Sequence, residues 1–143
     1  MTRPNDFRLE DGTVVDHLPV GTAVRALELL GLPRKGPVTV GINVPSARMG
    51  LNDIVRVEGL VLRKEEIDRL ALLGREITVN IVRAGAVAEK KVLEVPPRLV
   101  GIVRCPNPTC VTNHEKVATI FDRDGEYPYR FKCFFCERVT SVS

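Results

Sequence analysis

RCPNPTC, residues 104–110, sets two cysteines on either side of a four-residue insert that contains two prolines. KCFFC, residues 132–136, supplies a second pair, and these are the four cysteines of the chain. The spacing is Cys105-x4-Cys110, then 22 residues, then Cys133-x2-Cys136. In a reducing compartment structural disulfides are disfavoured, so two tight thiol pairs point to a metal. Four thiolates suit tetrahedral zinc, and such a shell has no open position for water or substrate. The expectation is one structural Zn2+ held by Cys105, Cys110, Cys133 and Cys136, with the Asn-Pro step forming a knuckle. A thiol redox reading of Cys133 and Cys136 leaves the first pair unexplained.

Between the pairs lie EKVATIFD and YPYRFK, β-branched and aromatic, separated by RDGE with its Asp-Gly hairpin signal. The result is a small all-β module, too short for a self-sufficient core. Metal binding, worth on the order of 10 kcal/mol in such modules, would supply much of its folding free energy. PPR, residues 96–98, is a stiff break in front of it. The chain therefore divides into residues 1–97 and 98–143.

In the first part, TVVDHLPV contains a strand and GTAVRALELLGLP a helix, with Val24, Leu27 and Leu30 at helical spacing, Ala23 beside them, and Gly31 and Pro33 as stops. VTVGINV alternates, which puts Val38, Val40, Ile42 and Val44 on one strand face. PSARMGLND reads as a loop before the strand IVRVEGLVL. KEEIDRLALLG is a second helix with Ile67, Leu70 and Ala71 inward and acids in its first turn. EITVNIV and VAEKKVLEV are strands joined by RAGA. The order β-α-β-β-α-β plus one strand predicts an α+β fold: a ferredoxin-like domain followed by the small all-β module.

Hydrophobic residues make up 44% and charged residues 27% of 143, which is a globular composition. No apolar run reaches the ~18 residues of a membrane span, and the N-terminus has no signal-peptide core. A cytoplasmic protein without membrane contact is expected. A net charge of +3 spread along the chain and 5% aromatics give little footing for nucleic acid. Even so, a zinc-ribbon module that binds nucleic acid remains the alternative from another class. No Walker loop, GxGxxG or nucleophile–base pair is present, so catalysis is not expected. His114, in the loop after the first knuckle, reads as exposed. Asp16, His17, Arg56, Asn80 and Lys90 fall on strands or strand ends of one domain. Carboxylate, imidazole and cations there can meet ribose hydroxyls and phosphates, although charged strand residues are more often a solvated face.

GTVVDHLP, TVGINVPSARMGLNDIVRVE, ITVNIV and RCPNPTC…KCFFC together resemble the regulatory subunits of aspartate carbamoyltransferase, over about residues 9–138. The resemblance implies a non-catalytic chain that forms homodimers and links catalytic chains in pyrimidine synthesis. It implies an allosteric domain over 1–97, where CTP, often with UTP, inhibits and ATP activates. It also implies a zinc domain over 98–143 that docks on the catalytic chain. By resemblance Asp16 contacts the ribose, His17 and Lys90 the phosphates, and Asn80, Val82 and Val87 surround the pocket. Leu9 falls where backbone atoms read the base. Arg56 stands where the family often has a lysine near base and ribose, and a planar fork there replaces a point donor. Glu10 and Asp11 replace basic residues of one branch. Asn107 and Glu115 match residues that face the catalytic chain.

Overall fold

A computed structural model describes residues 10–141; Leu9 lies outside the described residues. Among the described residues no helix is long and apolar enough to cross a membrane. The first sheet comprises β1 (Gly12–Leu18), β2 (Val38–Ser46), β3 (Gly50–Glu58), β4 (Thr78–Arg83) and β5 (Ala86–Val92). Helix α1 (Ala23–Leu29) follows β1, and α2 (Lys64–Ala71) follows β3. The spatial order is β2-β3-β1-β4-β5, with every neighbouring pair antiparallel. This is the expected ferredoxin-like arrangement with β5 added at one edge. A second antiparallel sheet has β6 (Arg98–Val100), β7 (Ile120–Arg123), β8 (Phe131–Cys133) and β9 (Val139–Thr140) in chain order. The hairpin expected around Asp-Gly joins β7 to β8, and β6 and β9 are two short strands that the sequence did not announce.

Strand alternation sends Val15, Val55, Val57 and Val79 to the core, where they meet Ala23, Ala26 and Leu30 of the α1 segment and Leu70 and Ala71 of α2. Each fully buried side chain of Val or Leu size contributes about 1.5–3 kcal/mol. Leu99, Phe121 and Phe131 fill the smaller sheet. Two expectations about faces need correction. Val24 is 57% exposed. At 100° per residue the inward stripe of α1 runs through Ala23, Ala26 and Leu30, with Leu27 on its flank, and Val24 is turned past its edge. Ile42 is 56% exposed and Val44 lies on the face of Gly41 and Ile54, opposite that of Val38 and Val40, because the β2–β3 register shifts between Gly41 and Val44 and breaks the alternation.

PSARMGLND is not all loop, since β3 begins at Gly50 and takes in Asn52 and Asp53. Asp53 is 0% exposed. Its Oδ2 accepts the backbone N–H of Gly21 at 3.0 Å and of Ala23 at 3.1 Å, and its Oδ1 accepts that of Asn43 at 3.1 Å. One carboxylate therefore caps the first turn of α1 and holds the β2 bulge, where Asn43 has φ 58°. Three further contacts tie the two sheets together. Arg69 of α2 donates to the Ile102 carbonyl at 3.0 Å, Arg123 to the Val95 carbonyl at 2.9 Å, and the Arg75 guanidinium lies 5.7 Å from the Tyr127 ring centre.

Glu66, at 2% exposure, joins the end of α1 to the start of α2. It accepts the Arg63 N–H at 3.1 Å and bonds the Arg34 and Arg63 guanidinium groups, while Arg34 also donates to the Leu30 carbonyl. Burial alone would raise its pKa. The Arg63 N–H and the two guanidinium groups outweigh burial and hold it below the ordinary value. A depressed folded pKa stabilises above the unfolded pKa, and that stability is lost as pH falls through the folded value. Glu66→Gln should therefore cost about 1–2 kcal/mol at neutral pH, because both guanidinium groups are open to solvent screening. Urea titrations of both proteins should show the difference shrinking below about pH 4.5, the group's ordinary value.

Candidate functional site

The four cysteine sulfurs lie within 4.8 Å of one another. Cys105 and Cys136 are 3.8 Å apart, as are Cys110 and Cys133. A tetrahedral ion with Zn–S bonds of about 2.3 Å separates its sulfurs by about 3.8 Å, so the cluster fits one structural zinc. Pro106 to Thr109 fold into the knuckle that aims the first pair. Asn113 holds it by donating to the carbonyls of Cys105 at 3.0 Å and Asn107 at 2.7 Å. Burial pushes the Cys105 thiol up to about 12. At Cys136 burial acts the same way but is outweighed by the Asn107 side chain and the Arg138 N–H, which bring it down to about 6. A bound zinc favours the thiolate at all four. His114 takes no part, donating instead from Nε2 to the Pro108 carbonyl at 2.7 Å.

The second constellation lies on the sheet face away from the helices. Register places Arg56 of β3, Val14 of β1, Asn80 of β4 and Lys90 of β5 directly opposite one another in a single row. Side chains so paired point to the same face, and at ~4.8 Å per strand the row spans roughly 14 Å. Asp16 and Thr78 pair in the next row. His17 follows at a break in the β1–β3 register, with φ 57°. Its N–H donates to Asp16 Oδ1 at 2.7 Å, and its Nδ1 lies 2.9 Å from Thr78 Oγ1. The bulge lets consecutive residues Asp16 and His17 serve one surface, which regular alternation would forbid. Val82 pairs with Gly12 and Val87 towards the far end of the strands.

Asp16, His17, Arg56, Asn80 and Lys90 are thus brought to one face, with Val82 and Val87 beside them. Sequence reasoning missed Asn52 and Thr78, both buried and both bonded to the Asp16–His17 corner. Asn52 was hidden by its place in an apparent loop, and Thr78 reads as an ordinary β-former. A cleft of about 410 Å³ opens elsewhere, beside α2, between Leu60, Val61, Ile67, Ile81 and Lys91, and of the expected residues it includes Val82. Asn107 is buried in the knuckle, where its Oδ1 accepts the Thr109 N–H and hydroxyl. Glu115 is exposed.

Comparison with known families supplies the class. Residues 97–143 match a metal-binding domain and residues 7–94 an allosteric domain, which together make a regulatory rather than a catalytic subunit. Both are domains of the aspartate carbamoyltransferase regulatory chain, and the protein belongs to that family. The regulatory chain of Korarchaeum cryptofilum is 47% identical, covering 90% of this chain and 85% of its own length. That of Methanopyrus kandleri is 46% identical, covering 92% and 86%. That of Thermococcus sibiricus is 42% identical, covering 92% and 87%.

Cys110→Ala opens the sulfur shell. Metal analysis should show near one zinc per chain in the wild type and loss of it in the variant. Amide NMR signals of residues 98–141 should collapse, while those of β1 to β5 persist.

Proposed function

We propose that this chain binds nucleoside triphosphates on the open face of its first sheet and conveys their presence to the catalytic chain of aspartate carbamoyltransferase. CTP and UTP inhibit and ATP activates. The aligned row of Arg56, Asn80 and Lys90, flanked by the Asp16–His17 corner, is the observation that carries this reading. It sets the Lys90 cation and the His17 imidazole for phosphates beside a carboxylate for ribose hydroxyls. Asp16 takes the ribose, His17 and Lys90 the phosphates, and Leu9 and Arg56 the base end. The four cysteines ligate zinc, and the module they close, with Glu115 on its surface and Asn107 shaping the knuckle, docks on the catalytic chain. Residues 1–97 and 98–143 are the two working units. Regulatory chains pair as homodimers, for which strand β2 with exposed Ile42 offers a border that is unpaired among the described residues. The complex is cytoplasmic.

The route between the domains is short. His17 is followed by Leu18 and Pro19, and a β-carbon on Gly74 would lie 2.6 Å from Pro19 Cγ. The next residue, Arg75, stacks on Tyr127 of the zinc domain. A ligand that shifts the Asp16–His17 corner therefore acts on the domain junction through Pro19. It moves the equilibrium by its difference in affinity for the two states, typically worth about 1–3 kcal/mol.

Aspartate saturation curves of the assembled enzyme should shift with CTP and with ATP; curves that ignore both nucleotides despite binding would refute the regulatory mechanism. Lys90→Ala should weaken CTP binding about five- to tenfold without changing the mass of the complex. Tyr127→Ala should keep CTP affinity yet reduce the nucleotide-induced shift of the aspartate curve.

A further inference from the structure

Asn52 is 4% exposed, on β3 beneath the Asp16–His17 corner. Its Nδ2 donates to Asp16 Oδ1 at 3.2 Å and to the Asp53 carbonyl at 3.1 Å. The His17 N–H reaches the same Oδ1 at 2.7 Å. Both donors thus converge on one oxygen of Asp16, and among the described residues no donor reaches Oδ2, whose acceptor capacity is left for a ligand. A carboxylate on a solvated strand otherwise turns about its last torsion, which is broad. Here that torsion is fixed by a buried amide, itself anchored by its second bond beside the Asp53 cap. An amide donor also leaves the charge of Asp16 intact, whereas a cation in its place would compete with the ligand as an ion pair.

We propose that Asn52 is a positioning residue that sets ribose specificity. By fixing Oδ1 it presents Oδ2 of Asp16 to the vicinal hydroxyls of a bound ribonucleotide, and so selects against nucleotides that lack them. The inference rests on the reading of Asp16 as the ribose contact. A site built to hydrogen-bond a hydroxyl discriminates through the alignment of its acceptor, since a charged acceptor left unpaired loses far more than an apolar wall does.

Calorimetric titration of CTP and of 2′,3′-dideoxy-CTP into the zinc-loaded chain, assembled with its catalytic chain, measures the ratio of affinities. The wild type should favour CTP by about tenfold or more, the scale of a hydrogen bond to a charged group. Asn52→Leu should lower that ratio about fivefold while leaving dideoxy-CTP affinity within about twofold. Asn52→Ser, a milder truncation, should show the same selective loss should leucine disturb β3. A ratio unchanged in a folded variant, or a parallel loss of both nucleotides, overturns the assignment, because a merely structural role would weaken both alike. A wild type that binds the two nucleotides equally removes Asp16 from the ribose and this role with it. A wild type that binds neither overturns the underlying nucleotide-site reading.

Discussion

The first domain depends on a carboxylate sealed from water. An ionised group buried without partners would cost several kcal/mol or more, and Asp53 offsets that with three backbone N–H donors from two places in the chain. The bonds to Gly21 and Ala23 fix where α1 starts, and the bond to Asn43 fixes where β2 bulges. Asp53 is also opposite Leu18 in the β1–β3 register, just past the irregular step that contains His17. The helix start, the bulge and the functional corner therefore share one anchor. Among the described residues no buried side-chain nitrogen or oxygen lacks a partner, so the polar groups inside this small core form a closed set.

The second domain solves the opposite problem. Its strands run two to four residues, and Leu99, Phe121 and Phe131 are its main fully buried side chains. That is too little apolar area to offset the entropy of ordering more than forty residues. The sulfur tetrahedron makes up the deficit at the margin of the hydrophobic cluster, to which Cys105, Cys110 and Cys133 belong and against which Cys136 packs. It also joins the knuckle after β6 to the end of β8 at Cys133 and to Cys136 in the turn that follows. The two domains share one apolar cluster, continued through Leu93, Val95 and Leu99 to Phe121 and Phe131, and directional contacts at Arg69, Arg75 and Arg123 are added to it.

The sequence disclosed what depends on periodicity and spacing. Cysteine pairs announced the metal cluster because coordination requires close thiols. The alternation of EITVNIV and the acids and apolar stripe of KEEIDRLALLG announced β4 and α2 because burial imposes their periods. The family resemblance pointed to Asp16, His17 and Lys90, but the row that unites Arg56, Asn80 and Lys90 is a matter of register between four strands, and no local pattern encodes it. Val24 and Ile42 were misplaced for related reasons: a short helix packs by its alanines, and a bulge reverses the alternation after it. Asn52 and Asp53 were hidden because Gly-Leu-Asn-Asp has the composition of a turn, while the bonds that matter, from Asn52 to Asp16 and from Asp53 to Gly21, Ala23 and Asn43, reach ten or more positions along the chain.

Strand β5 is exposed at all seven of its positions and, among the described residues, forms one border of the sheet. A bare border of this kind is a template for the backbone of another chain, and lysines are among the residues that keep such templates unoccupied. Glu89, Lys90 and Lys91 lie at its centre, between Val87 and Val92. Lys90, which the proposed function gives to phosphate, is thus also part of a guard against strand addition and aggregation. An apolar replacement at that position would lose ligand affinity and at the same time make the subunit more prone to self-association, so tolerance at Lys90 is narrower than its surface location suggests.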